Sequence, residues 1–200
     1  MRYFLLYADD SDIKWRGKEL LRDMLFTSDG ADVRARLSYD EGAWNGGQLY
    51  CEFLRTGTFS ALQHLYTLRL LIAPKDLIEE CMVTFNGQIE YVDILEKYTK
   101  REFLLIHPIL AISSVNFDRS EIERWPANFT LQEWHNPHGR MFIKPVINDK
   151  LIPKHLQVFR LKDWPGVSNI VVSESAKMAL EKIKALQNEF LFRELDKTQG

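Results

Sequence analysis

The closest approach to a metal-binding spacing is His135-Asn136-Pro137-His138, two histidines three residues apart. Imidazoles at that spacing can share one ion when a carboxylate and a further donor converge from elsewhere, which would make the chain a small metal-dependent hydrolase using His135 and His138. No cysteine or acidic residue nearby completes a known ligand pattern, and solvated loop histidines account for the pair equally well. Asp9, Asp10 and Asp12 follow the first apolar run and could do acid–base work or hold a hard cation. The glycine and distal glutamate of a calcium loop are missing from them. Ser113-Ser114 and Ser173-Glu174-Ser175 lack the Gly-x-Ser-x-Gly setting of a nucleophile elbow, and Gly46-Gly47 lacks the lysine and repeated spacing of a phosphate loop. The expectation is a protein that is not an enzyme, with no catalytic residues, no cofactor and no metal ligands.

Recognition chemistry is better represented. Trp15, Trp44, Trp125, Trp134 and Trp164 all fall beside turn-forming or charged residues, where a large aromatic with one solvated edge can anchor an interface. Asp40-Glu41, Glu79-Glu80 and Glu121 with Glu123 can steer a basic partner. Residues 38–47 concentrate Asp40, Gly42, Asn45, Gly46 and Gly47 around Trp44, which predicts an exposed loop. Loops on rigid scaffolds carry recognition, so Asp40, Glu41 and Trp44 are the predicted partner-binding residues.

The elements that must position them are drawn from 200 residues, 46% hydrophobic and 27% charged, a composition that can bury a substantial core. With 26 basic against 28 acidic side chains the net charge is -2, so the broad basic field needed for nonspecific nucleic-acid binding is absent and no nucleic acid is expected as partner. Apolar runs such as 68–73 and 109–112 fall far short of the roughly 20 residues that cross a bilayer, so no membrane association is expected. Residues 1–7 start like a signal peptide, but the aspartates that follow interrupt it, which points to the cytoplasm. Cys51 and Cys81 cannot build a disulfide framework or a structural zinc site, and read as partly buried thiols.

Residues 3–7 predict a first strand. Residues 68–73 predict a buried strand, with Pro74 opening a helix over 75–81. Asn86-Gly87 predicts a two-residue hairpin between 82–85 and 89–92. Pro108 within 102–112 demands a sheet edge or a break between two strands. Ser120…Glu123 and Thr130…Glu133 have the capping-box form and predict helical turns. Pro137, Gly139, Pro145 and Pro153 predict connecting backbone over 134–153, with a short strand at 141–144. Strands are expected at 156–161 and 170–172 around a turn at 163–166. Ser173 then caps a helix that runs to about Asn188, and a last strand starts at Phe190. The resulting fold class is α+β, or mixed α/β. A sheet-containing N-terminal region, 1–133, is joined to a C-terminal strand-helix-strand region, 134–200, as one compact unit.

Residues 155–195, HLQVFRLKDWPGVSNIVVSESAKMALEKIKALQNEFLFREL, resemble the end of a bacterial immunity-protein family, number eleven in the polymorphic-toxin classification and formerly a domain of unknown function. The resemblance rests on the Phe159-Arg160-Leu161 strand, the Ile170-Val171-Val172-Ser173 step into a helix, and the closing strand at Phe190. Residues 107–123, HPILAISSVNFDRSEIE, look like the middle of such proteins. Together these cover a quarter to a third of the chain, and they are a pattern of apolar and capping residues, not a catalytic motif. The resemblance implies a cytoplasmic protein that binds and neutralises a cognate toxin protein. A non-catalytic adaptor with a constitutive partner is the alternative that needs no toxin.

Overall fold

Uninterrupted apolar runs supply the strands. The computed structural model describes residues 1–8, 17–22, 24–39, 42–58, 63–65, 70–78, 85, 87–132, 135–164, 169–183 and 189–198. In chain order the strands are β1 (Tyr3–Ala8), β2 (Leu20–Leu21), β3 (Leu49–Cys51), β4 (Phe53–Arg55), β5 (Gln63–Leu65), β6 (Leu70–Pro74), β7 (Ile89–Glu96) and β8 (Glu102–Pro108). They continue with β9 (Ala111–Ile112), β10 (Glu121–Glu123), β11 (Met141–Lys144), β12 (Val146–Ile147), β13 (Val158–Leu161), β14 (Ile170–Ser173), β15 (Phe190–Glu194) and β16 (Asp196–Lys197). Two short α-helices, α1 (Arg34–Tyr39) and α2 (Glu174–Leu180), stand among the described residues. The molecule is therefore a sheet-dominated α+β protein.

Two five-stranded sheets form the frame, one ordered β15-β1-β14-β13-β9 and the other β3-β7-β8-β6-β5. Phe4 and Leu6 of β1, Val158 of β13 and Ile170 and Val172 of β14 meet Leu71, Ala73, Ile89, Leu104 and Ile106 of the second sheet in one core, closed by Ala176 and Leu180 of α2. The opposite face of each sheet is covered as well. Phe103 and Leu105 of β8 pack with Leu25, Val33 and Leu37, while Tyr3, Leu5 and Val171 pack with Phe142, Phe159 and Trp164. This double burial explains why Phe103-Leu104-Leu105-Ile106 is apolar at every position: consecutive strand residues point to opposite faces, and both faces are dry. Burying each such side chain contributes roughly 1.5–3 kcal/mol. The core between the sheets leaves a cavity of only about 10 Å³, too small for anything beyond a water molecule.

The C-terminal strand-helix-strand unit is split. β14 and β15 flank β1, which is antiparallel to both, so the first strand of the chain completes a sheet made by its end. Pairing also runs across residue 133, since β10 joins β11. Ser173 caps α2 as expected, its hydroxyl accepting from the Ala176 amide at 3.2 Å. The described helix stops at Leu180 and not near Asn188; residues 184–188 lie outside the description.

Several local expectations change. Glu121–Glu123 is a strand and not a helical turn, because the Ser120 hydroxyl that would cap a helix donates instead to the Asn116 carbonyl at 2.7 Å and accepts from the Val146 amide at 2.9 Å. Pro108 marks a break, the strands resuming at Ala111, yet β8 lies in the middle of its sheet and not at an edge. A proline is tolerated there as the last strand residue, where its missing donor ends the ladder. Pro74 closes β6 and precedes a single 3-10 turn, Lys75–Leu77, while 79–84 lie outside the description. Of the hairpin strand expected at 82–85, Phe85 is described and lies in no strand, and Asn86 falls outside. The short strand expected at 141–144 is present as β11, and the backbone beyond it adds a second strand, β12 at Val146–Ile147, with Phe142, Val146 and Ile147 buried.

Candidate functional site

The predicted recognition loop follows α1. Asp32 opens this helix by accepting from the Arg34 amide at 3.1 Å, and Val33 and Leu37, four apart, bury one face against the second sheet. Six residues cannot sustain a helix alone, so tertiary contacts hold it. The Leu37 carbonyl faces two side chains from the body: His107 Nε2 at 3.0 Å and Arg160, whose guanidinium donates at 3.2 Å. Seven residues further on, the Trp44 amide donates to Glu90 Oε2 at 2.6 Å, and the Gly42 amide donates to the Ile109 carbonyl at 3.3 Å. Leu37 and Trp44 are thus each tied to the body by hydrogen bonds.

Trp44 itself is half-buried against the second sheet's outer cluster. Its indole N–H donates to the Gly47 carbonyl at 2.8 Å, and the Arg36 guanidinium sits 4.9 Å from the ring centroid while donating to Asn45 Oδ1 at 2.7 Å. Gly46 lies under the indole so closely that a Cβ there would stand 2.2 Å from a ring carbon. Gly47 adopts a positive φ of 81°, which a side chain resists. The loop presents a fixed aromatic on an otherwise exposed turn.

Beneath it lies a buried polar cluster. Glu90 of β7 and His107 of β8 are direct cross-strand partners, with Nδ1 3.3 Å from Oε2. His107 is 3% exposed and Arg160, arriving from the other sheet, 4%. Burial pushes the His107 imidazole below its usual range and Arg160 adds to this, outweighing the upward pull of Glu90 and the Leu37 carbonyl. Sequence reasoning missed this cluster. The available signal was a single polar residue inside an apolar run: His107 after Phe103-Leu104-Leu105-Ile106, and Arg160 within Val158-Phe159-Arg160-Leu161.

Of the predicted recognition residues, Trp44 is placed as described, whereas Asp40 and Glu41 lie outside the described residues. So do Asp9, Asp10, Asp12, Trp15, Glu79, Glu80, Cys81, Glu133 and Trp134. His135 and His138 turn to different neighbours. His135 Nδ1 accepts from the Gln132 amide at 2.8 Å and its ring packs on Trp125 and Phe129 at 4.7 and 5.0 Å, while His138 stacks on Phe117 at 4.1 Å. Among the described residues no group of three His, Cys, Asp or Glu side chains is arranged to hold a metal. Trp164 is buried and stacked on Phe142, and Trp125 donates its indole N–H to the Asn136 carbonyl at 2.8 Å. Burial, with Glu96 nearby, pushes the Cys51 thiol up to about 12.

No protein-family model matches the chain, and no curated protein matches it. Among the described residues no helix is long and apolar enough to cross a membrane.

Proposed function

We propose that this protein is a cytoplasmic immunity protein that binds a cognate bacterial toxin protein and blocks its active site by occlusion. The observation that carries this reading is the Trp44 loop, an aromatic held from four directions on a body buried on both sheet faces. Such a side chain pays little conformational entropy on binding, which is what an inhibitor of high affinity requires. The resemblance of residues 155–195 to polymorphic-toxin immunity family eleven supports the toxin as the class of partner. Inhibition by occlusion needs complementarity of surfaces and no bond-making residues.

Co-expression with the toxin gene adjacent to its own tests the proposal. Rescue of growth and co-purification of the two proteins are expected; failure of both rejects it. Trp44→Ala is expected to weaken the complex at least tenfold, since buried aromatic anchors are worth about 2 kcal/mol or more at interface centres. Unchanged affinity removes Trp44 from the interface.

A further inference from the structure

A cleft of about 460 Å³ opens where three segments of the chain meet, lined by Arg119, Lys144, Val146, Asp196 and Lys197. Arg119 comes from the turn before β10, Lys144 ends β11, Val146 starts β12, and Asp196 and Lys197 form β16. Three cations thus share the lining with one carboxylate, in a chain whose net charge is -2. Hydrogen bonds centred on Asn116 tie the walls together. Its amide donates to the Val146 carbonyl at 2.9 Å, its Nδ2 donates to Thr198 Oγ1 at 3.1 Å, and its Oδ1 accepts from the Arg119 amide at 3.1 Å. The strands β12 and β16 run parallel, with Val146 beside Asp196 and Ile147 beside Lys197. A hydrogen-bonded frame therefore gathers the cations against their mutual repulsion.

Two of the three cations have a counterion. Lys144 Nζ lies 3.3 Å from Asp196 Oδ2, and Lys197 Nζ lies 3.1 Å from Asp149 Oδ2. Among the described residues no carboxylate meets the Arg119 guanidinium, whose residue is held through its amide alone. The Lys144 and Asp196 side chains are 65% and 56% exposed, so their pairing is weak and is readily exchanged for contacts to a ligand. We infer that this cleft binds a small sugar phosphate, its phosphate held by Arg119 with Lys144 and Lys197 and its hydroxyls by the Asp196 carboxylate. A guanidinium presents paired donors matched to phosphate oxygens, and the two ammonium groups add charge without a fixed direction. Asp196 repels a second anionic group and accepts from hydroxyls, which favours one phosphate on a hydroxylated body over a polyanion. The volume falls in the range of small-molecule sites. The cleft shares no residue with the Trp44 loop, so it stands or falls apart from the toxin-binding reading.

An NMR titration of the isotope-labelled full chain with ribose 5-phosphate tests the inference. The expected result is saturable shifts at the Arg119, Val146 and Lys197 amides, with a Kd below about 1 mM. Arg119→Gln should weaken binding by about tenfold or more, because it removes a charge-assisted pair of bonds. Arg119→Lys, which keeps the charge and loses the paired donors, should weaken it less. Ribose should produce no saturable shift, and inorganic phosphate and citrate should each bind more weakly than the sugar phosphate. A Kd above about 1 mM, shifts that map elsewhere, or a smaller loss in Arg119→Gln overturns the inference. So does inorganic phosphate or citrate bound as tightly as ribose 5-phosphate. If Arg119→Gln does not fold, the wild-type shift map and the comparison among the four probes decide alone.

Discussion

Replacing Gly46 with alanine isolates the organisation of the recognition loop from everything beneath it. The added Cβ would stand 2.2 and 2.4 Å from the Trp44 ring carbons Cζ2 and Cη2, so the indole must leave its seat. Its departure breaks the 2.8 Å bond to the Gly47 carbonyl and the Arg36 contact at 4.9 Å. A net hydrogen bond contributes about 1 kcal/mol and an exposed cation–π contact about 0.5–1 kcal/mol. The Trp44 amide bond to Glu90 belongs to the main chain and survives. Urea denaturation of Gly46→Ala should therefore show a loss of about 1–2 kcal/mol with an unchanged m-value, and faster exchange of the Trp44 indole N–H. Wild-type stability together with wild-type indole protection would refute the account of how this loop is held.

Other expectations follow from the buried groups. Leu104→Ala, which opens a hole between the sheets, should cost about 2–5 kcal/mol by denaturant titration. Cys51, whose thiol burial raises to about 12, should resist a thiol reagent at pH 8 in a Cys81→Ser background and react only on unfolding. The Glu96 carboxyl is held below its usual range despite the opposing effect of burial, because the Thr99 hydroxyl and the Thr99 and Tyr98 amides bond its ionised form. Its stabilisation is present above the ordinary carboxylate value and lost as pH falls through the lower folded value, so Glu96→Gln should flatten the acid limb of the stability curve. The lowered His107 value gives stability that declines as pH falls from the ordinary histidine value through the folded one, a decline His107→Gln should remove.

Legibility varied with the range of the interaction that decides each element. β1, β11 and the Ser173 cap were readable because strand pattern and capping depend on a few neighbouring residues. Glu121–Glu123 was misread because the capping-box letters are also satisfied by Ser120 bonding across to Asn116 and Val146, a contact no local rule contains. The central place of β8 was hidden for the same reason, since its neighbours β6 and β7 are set by long-range pairing. Trp44 stands out in the sequence as an aromatic in a turn-rich stretch, but its anchors, Glu90 and Arg36, come from β7 and α1 and leave no local signal. Charged residues embedded in apolar strands deserve more weight than loop histidines in a chain of this kind, because burial makes an isolated charge too costly to keep without a role in holding the fold or in working it.

The position of β1 between β14 and β15 sets the order in which the protein can be made. A ribosome adding about 5–20 residues per second releases the first strand roughly ten seconds or more before its second neighbour exists. Until β14 is made Tyr3-Phe4-Leu5-Leu6 has neither flank available, and until β15 follows it has only one, so its apolar side chains depend on a chaperone or on transient collapse for cover. Assembly of this sheet consequently waits on residues 170–194, and removing β15 should leave the opening segment with an unpaired edge that can template aggregation.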